Sequence, residues 1–248
     1  MYEQIIFNEA DLPESWDWRD QGCVNPVKDQ GSCGSCVAFA TTGVLESNLL
    51  KAGASMDGLD VSDQHLLDCA YGYDDFYANG CTSARGHIYA KWYNNIAGGP
   101  EMVHENHYPY VQEENNYKCK ATGYWHPGYK IEKGFWDYDC SDEKMMKLIY
   151  QYGAISTGVG VDEVDGDHNL GDFVNYKSGV FDICTTTKTN HAVVIVGWGT
   201  ENGIDYWIIK NSWGSWWGEQ GYIRVKRSMY KIPNNDLAAY HISNINSF

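Results

Sequence analysis

The chain is short of positive charge and has no long apolar run. Lys and Arg number 18 against 33 Asp and Glu, a formal net charge of −15. That balance excludes a nucleic-acid binder held by backbone phosphates. No apolar stretch reaches the roughly eighteen residues that a membrane-spanning helix needs, so no membrane role is expected. The opening MYEQIIFNEADLP has neither the basic start nor the apolar core of a signal peptide, and none is expected in this chain. Asn-x-Ser/Thr sequons, internal repeats and low-complexity segments are all missing. Cys33 and Cys36 form a close pair, but no second CxxC or HxxxH follows it. Structural zinc is therefore not expected, nor is any other metal or cofactor.

What the chain does contain is a globular composition, 43% hydrophobic and 21% charged. Its 248 residues are long for one compact domain and short for two independent ones, which fits two lobes sharing a cleft. Eight cysteines, at 23, 33, 36, 69, 81, 119, 140 and 184, are many for a cytosolic enzyme. They favour disulfides and hence a secreted, lysosomal or vacuolar location. Apolar residues recur at helical spacing over 35–50, after Gly31, Ser32 and Gly34. Cys36 is thus expected where a glycine-rich loop becomes a helix. Further helices are expected over 62–68 and 142–152, capped by Ser62 and Ser141, and over about 86–95. Short apolar or alternating runs at 155–161, 180–183, 192–197, 205–210 and 221–226 predict strands, separated by turn residues such as Asn202-Gly203. Helices crowd the first half and strands the second, which predicts an α+β chain with a helical lobe over about 22–125 and a β-rich lobe over about 126–235. The acidic run Asp162, Glu163, Asp165, Asp167 and Asp172 lacks the spacing of a calcium loop and reads as a solvated loop.

A thiol attacks a carbonyl well only as thiolate, and a helix N-terminus and a neighbouring imidazolium both favour that form. Cys36 has the first by position. His191 precedes the apolar run AVVIVGWG and so stands at the start of a buried strand, its ring free to face a cleft. Asn211 follows the strand-like YWIIK. Its amide can accept from one imidazole nitrogen and leave the other facing the thiol, while Trp213 excludes water. Gln30 can aim its amide at an oxyanion whose second donor is the Cys36 N–H. Taken singly, each residue has a bland reading: a half-cystine, a core histidine, a tryptophan-rich turn. Their combination carries the argument.

QGSCGSCVAFA at 30–40 resembles the active-site signature of papain and the lysosomal cathepsins, as does DWR at 17–19 followed by PVKDQG. NHAVVIVGWG at 190–199 and WIIKNSWGSWWGEQGYIRVKR at 207–227 resemble the histidine and asparagine blocks of that papain-like family. The resemblance runs from about residue 12 to 243. It implies a two-lobed papain-like α+β fold, with a helical N-terminal lobe, a β-rich barrel-like C-terminal lobe strapped by the N-terminus, and the active site in the cleft between. One domain would cover 12–248, after an extension over 1–11. The activity implied is that of a cysteine endopeptidase working through a thioester. Cys36 would be nucleophile, His191 base, Asn211 its orienting partner and Gln30 an oxyanion donor, with Gly34 lining the cleft and Trp213 shielding the His–Asn contact. The resemblance also implies disulfides Cys33–Cys81 and Cys69–Cys119, leaving Cys23, Cys140 and Cys184 unassigned. Partners would be peptide or protein substrates and propeptide or cystatin-type inhibitors, with the chain itself a monomer.

Three departures stand out. Val37 replaces the tryptophan that usually follows the nucleophile. Cys81-Thr82-Ser83-Ala84-Arg85-Gly86 is one residue longer than the usual glycine wall, and Trp216 stands on the primed side where a small residue is usual. They motivate a rival reading, a homologue of low activity kept as a binding or storage protein. By the same resemblance, the pocket for the second residue on the acyl side would be walled by Ala84, the Arg85-Gly86 segment, Gly158, Thr189, Ala192 and, at the far end, Tyr240. It is expected to favour Leu, Phe or Tyr, and to tolerate acidic residues better than basic ones.

Overall fold

The computed structural model describes residues 12–71, 78–84, 89, 92, 102–113, 118–120, 129–137, 141–161, 171–182, 189–227 and 237–244. Among these, the longest helix is α1, Cys36–Lys51, with thirteen of its sixteen residues buried. A helix buried on nearly every side must satisfy its own polar side chains. Thr41 donates back to Val37 O (2.8 Å), Thr42 donates to Asp63 Oδ1, and Ser47 Oγ accepts from the N–H of Ala154 (3.2 Å). Helix α2, Asp63–Cys69, starts where Ser62 Oγ accepts from the His65 N–H. Helix α3, Asp142–Tyr152, is capped by Ser141, buries Met145, Leu148 and Ile149 as one stripe, and stops at Gly153 with φ 109°. A short helix α4, Gly171–Val174, follows. Of the helix expected over 86–95, Tyr89 and Trp92 are helical and the rest lies outside the described residues, as does the acidic run over 162–170.

The strands are β1 (Trp16–Asp17), β2 (Ala78–Asn79), β3 (Ser83–Ala84), β4 (Tyr129–Asp137), β5 (Ile155–Val159), β6 (Val180–Phe181), β7 (His191–Glu201), β8 (Ile204–Lys210), β9 (Tyr222–Lys226) and β10 (Leu237–Asn244). β2 and β3 pair alone; the others form one sheet in the order β4-β10-β5-β7-β8-β9-β6, with β1 on β7. Every pairing is antiparallel except β6 with β9. β4 and β10 escape the sequence reading. The first carries charges and a mid-strand glycine, the second lacks a β-branched run, and each is defined by the other, about a hundred residues away in the chain. The arrangement is α+β, as expected, with α1 packed across β7, β10 and β5.

β7 and β8 form the hairpin on which the site depends. Asn202 (φ 53°) and Gly203 (φ 79°) make its two-residue turn, the Asn-Gly combination that matches strand twist. The register shifts between Ile195 and Gly197. There β1 crosses so closely that a Cβ on Gly197 would sit 2.1 Å from the Trp16 carbonyl oxygen. Gly197→Ala should therefore destabilise the chain by about 1–3 kcal/mol, the usual cost of overpacking, read as a lower urea midpoint. An unchanged midpoint would mean that the strap yields without cost.

Candidate active site

Cys36 is the first residue of α1, so its backbone N–H is one of those left without an intrahelical partner. The loop before it is pinned twice. Cys33 is bonded to Cys81, and the Gly34 N–H donates to Cys81 O at 3.1 Å. A side chain on Gly34 would put its Cβ 2.3 Å from that oxygen, so only glycine fits. Gln30 is buried and fixed from three directions. Its Nε2 donates to Cys33 O (2.9 Å), its Oε1 accepts from Ser212 Oγ (2.6 Å), and its carbonyl accepts from the Tyr110 hydroxyl (2.7 Å). One Nε2 proton remains for the cleft. Tyr110 in turn accepts from Ser35 Oγ at 2.7 Å, tying the loop to the residue before Cys36.

His191 opens β7 and is 6% exposed. Its Nε2 donates to Asn211 Oδ1 at 2.7 Å, which leaves Nδ1 as the free ring nitrogen. The same oxygen accepts from the Ser212 N–H at 2.8 Å, so the amide is oriented by two donors. Trp213 lies over the imidazole, ring centroids 4.8 Å apart and 31° from parallel. Behind it Phe173 and Trp217 meet Trp213 edge-on at 5.6 and 5.2 Å, which keeps water from the His–Asn contact. The backbone of Ala192, next to His191, favours the charged form of the Cys36 thiol.

Burial dominates the electrostatics. It pushes the Cys36 thiol up, against the pull of the Ala192, Val37 and Cys36 backbone groups. It pushes the His191 imidazole down to about 4, against the Asn211 hydrogen bond. The helix N-terminus acts in the direction the sequence suggested, but desolvation outweighs it. Each group taken alone is therefore neutral near pH 7.

The structure thus brings Cys36, His191, Asn211, Gln30, Gly34 and Trp213 together. Gly158 and Ala192 are partners across β5 and β7, beside His191. Ala84 ends β3, and Tyr240 on β10 pairs with Gly134 on β4; Arg85 lies outside the described residues. Cys69 is bonded to Cys119, Cys23 is a free buried thiol, and Cys140 and Cys184 lie outside the described residues. Sequence reasoning missed Ser212 and Tyr110. Ser212 stood in the quoted KNSWG run, whereas Tyr110, 80 positions from Gln30, gave no signal.

The chain is similar to known proteins over most of its length. Residues 12–242 match the papain family of cysteine proteases. The chain is 37% identical over 224 residues to germination-specific cysteine protease 1 of Arabidopsis thaliana, covering 90% of this chain and 54% of that protein. It is 34% identical over 230 residues to a cathepsin L-like proteinase of Fasciola hepatica, covering 89% and 62%. The chain therefore spans between about half and two thirds of the length of these curated relatives. Digestive procathepsin L2 from the larval midgut of Tenebrio molitor superposes with a TM-score of 0.73 at 32% identity, covering 92% of this chain and 68% of that one.

The depressed imidazole makes a test. In Cys36→Ser, where no thiolate forms, the His191 ring should stay neutral to about pH 4 by NMR. A folded value below the unfolded one means that the unfolded chain binds more protons between about 6.5 and 4. This ring's contribution to stability is complete above that window and is lost as pH falls through it. Titration of His191 at or above 6.5 in that variant would contradict the assignment to burial.

Proposed function

Since the chain belongs to the papain family of cysteine proteases, we propose that it is an active cysteine endopeptidase with Cys36 as nucleophile. The observation that carries this reading is the His191–Asn211 bond through Nε2, which leaves Nδ1 as the ring nitrogen available to the Cys36 thiol. Burial disfavours either charge alone, but moving the Cys36 proton to Nδ1 creates thiolate and imidazolium together, each offsetting the other's desolvation. Sγ attacks the substrate carbonyl carbon. The tetrahedral oxyanion accepts from the Cys36 N–H and the spare Gln30 Nε2 proton. Collapse expels the amine, which takes the proton from His191, and leaves a thioester. Water, deprotonated by His191, hydrolyses that thioester and regenerates the thiol.

Endopeptidase rather than exopeptidase activity is proposed because no insertion with paired histidines interrupts 70–80. The second residue on the acyl side would lie near Gly158 and Ala192, whose small size leaves room for Leu, Phe or Tyr; Arg85 would add tolerance of acidic residues. Trp216, 73% exposed and donating to Asp29 Oδ2 at 3.4 Å, would contact the primed side. A propeptide partner is supported by the procathepsin neighbours, and a secretory, lysosomal or vacuolar route by two disulfides.

Cys36→Ser and His191→Ala should each abolish peptide hydrolysis while leaving the fold intact; more than about a tenth of wild-type rate would contradict the roles. Gln30→Ala should lower kcat by about 10²–10³ if it is an oxyanion donor, and Asn211→Ala should be milder than His191→Ala. Arg85→Ala should lose tolerance of acidic residues on the acyl side and keep the aromatic preference, read from a peptide library. An epoxide that alkylates activated thiols should label Cys36 in folded protein. No adduct there would favour the binding-protein reading motivated by Val37 and Trp216.

A further inference from the structure

We propose that one water molecule is bound in the interior between α1 and the β7–β8 hairpin, and that through it Glu46 and Lys210 act as positioning residues for Asn211. Asn211 is 3% exposed and its Oδ1 is fully used, but its Nδ2 is buried without a partner. Glu46 on α1 is fully buried. Its Oε1 accepts from the Val61 N–H and from Lys28 Nζ, both at 2.9 Å, while its Oε2 is buried without a partner. Lys210, at the end of β8, is 6% exposed; burial lowers its ammonium to about 8, and Glu46 is the charge that most opposes this. Glu46, Lys210 and Asn211 line one cavity, with Gly43 and Val194 on its walls.

The volume open there to the centre of a water molecule is about 20 Å³, against the roughly 10–15 Å³ that one buried water needs. The chemistry of the walls selects the occupant. An amide N–H and an ammonium need an acceptor, which excludes a metal cation. A carboxylate oxygen needs a donor, which excludes an anion. Water does both: it accepts from Asn211 Nδ2 and Lys210 Nζ and donates to Glu46 Oε2. Those three bonds are the usual number for a buried water.

The consequence concerns His191. Two donors place the Asn211 oxygen toward the imidazole, and the water gives the amide nitrogen its acceptor on the other side. The amide is then held against rotation, and with it the proton on His191 Nε2. Gly43 keeps the space open, since a Cβ there would come 3.2 Å from Val194 Cγ2 and narrow the cavity.

A crystal structure that resolves ordered solvent should show a single water within hydrogen-bond distance of all three atoms. In Lys210→Met and Gly43→Ala the water should be lost. Resting on the peptidase reading, each variant should lower kcat roughly tenfold, the effect of leaving a buried amide unpartnered, with KM unchanged. In an Asn211→Ala background neither should lower kcat further. If Lys210→Met does not fold, Gly43→Ala, which alters no charge, decides alone. An empty cavity in the wild type overturns the bound water, and losses that simply add to Asn211→Ala overturn the positioning role. A wild type without peptidase activity would sink the functional reading, while the solvent density would still decide this one.

Discussion

The register between β7 and β8 is the constraint on which the site rests. His191 opens one strand and Asn211 follows the other, and an Asn-Gly turn of only two residues returns the chain between them. The register shift near Gly197 places one extra residue, Val196, on β7 between the turn and His191. A slip of one residue would send the amide to the opposite face of the sheet. The same glycine admits β1, so the strap crosses the hairpin where its register shifts.

Opposite the hairpin, α1 is held by charge as well as by apolar packing. Lys28 Nζ lies 2.9 Å from Glu46, 2.8 Å from Asp60 and 3.2 Å from Asp63, and donates to Val61 O. Burial alone would lower this ammonium, but Asp63, Glu46 and Asp60 hold it well above its usual value. Asp63 also accepts from Thr42, so α2, α1 and the entry loop are joined in one buried network. Removing a single partner would strand the rest, which costs more than the pair itself contributes. The network therefore holds the middle of α1 against α2 and the entry loop.

The two sides meet in a cleft that is hostile to isolated charge. Burial raises the thiol and lowers the imidazole, so neither group is charged alone near neutral pH. Trp213, backed by Phe173 and Trp217, maintains that low-dielectric setting around the histidine.

Much of this could be read from the residues in order. Local spacing and capping placed α1, α2 and α3 to within a residue or two, because each of those signals lies within the segment it describes. The strands around the hairpin were legible from apolar runs and the Asn-Gly turn. As candidates, Cys36, His191 and Asn211 were legible because each sits at the edge of such an element, and Gln30 because it stands within a recognisable run. The rest depended on partners distant in the chain. β4 and β10 exist through each other, Tyr110 reaches Gln30 across 80 positions, and Glu46 looked like one polar residue on a helix until folding enclosed it beside Lys28 and Lys210. Desolvation was least legible of all. The helix terminus that favours a thiolate is a local feature, but the burial that outweighs it arises only when helix and sheet close around the sulfur.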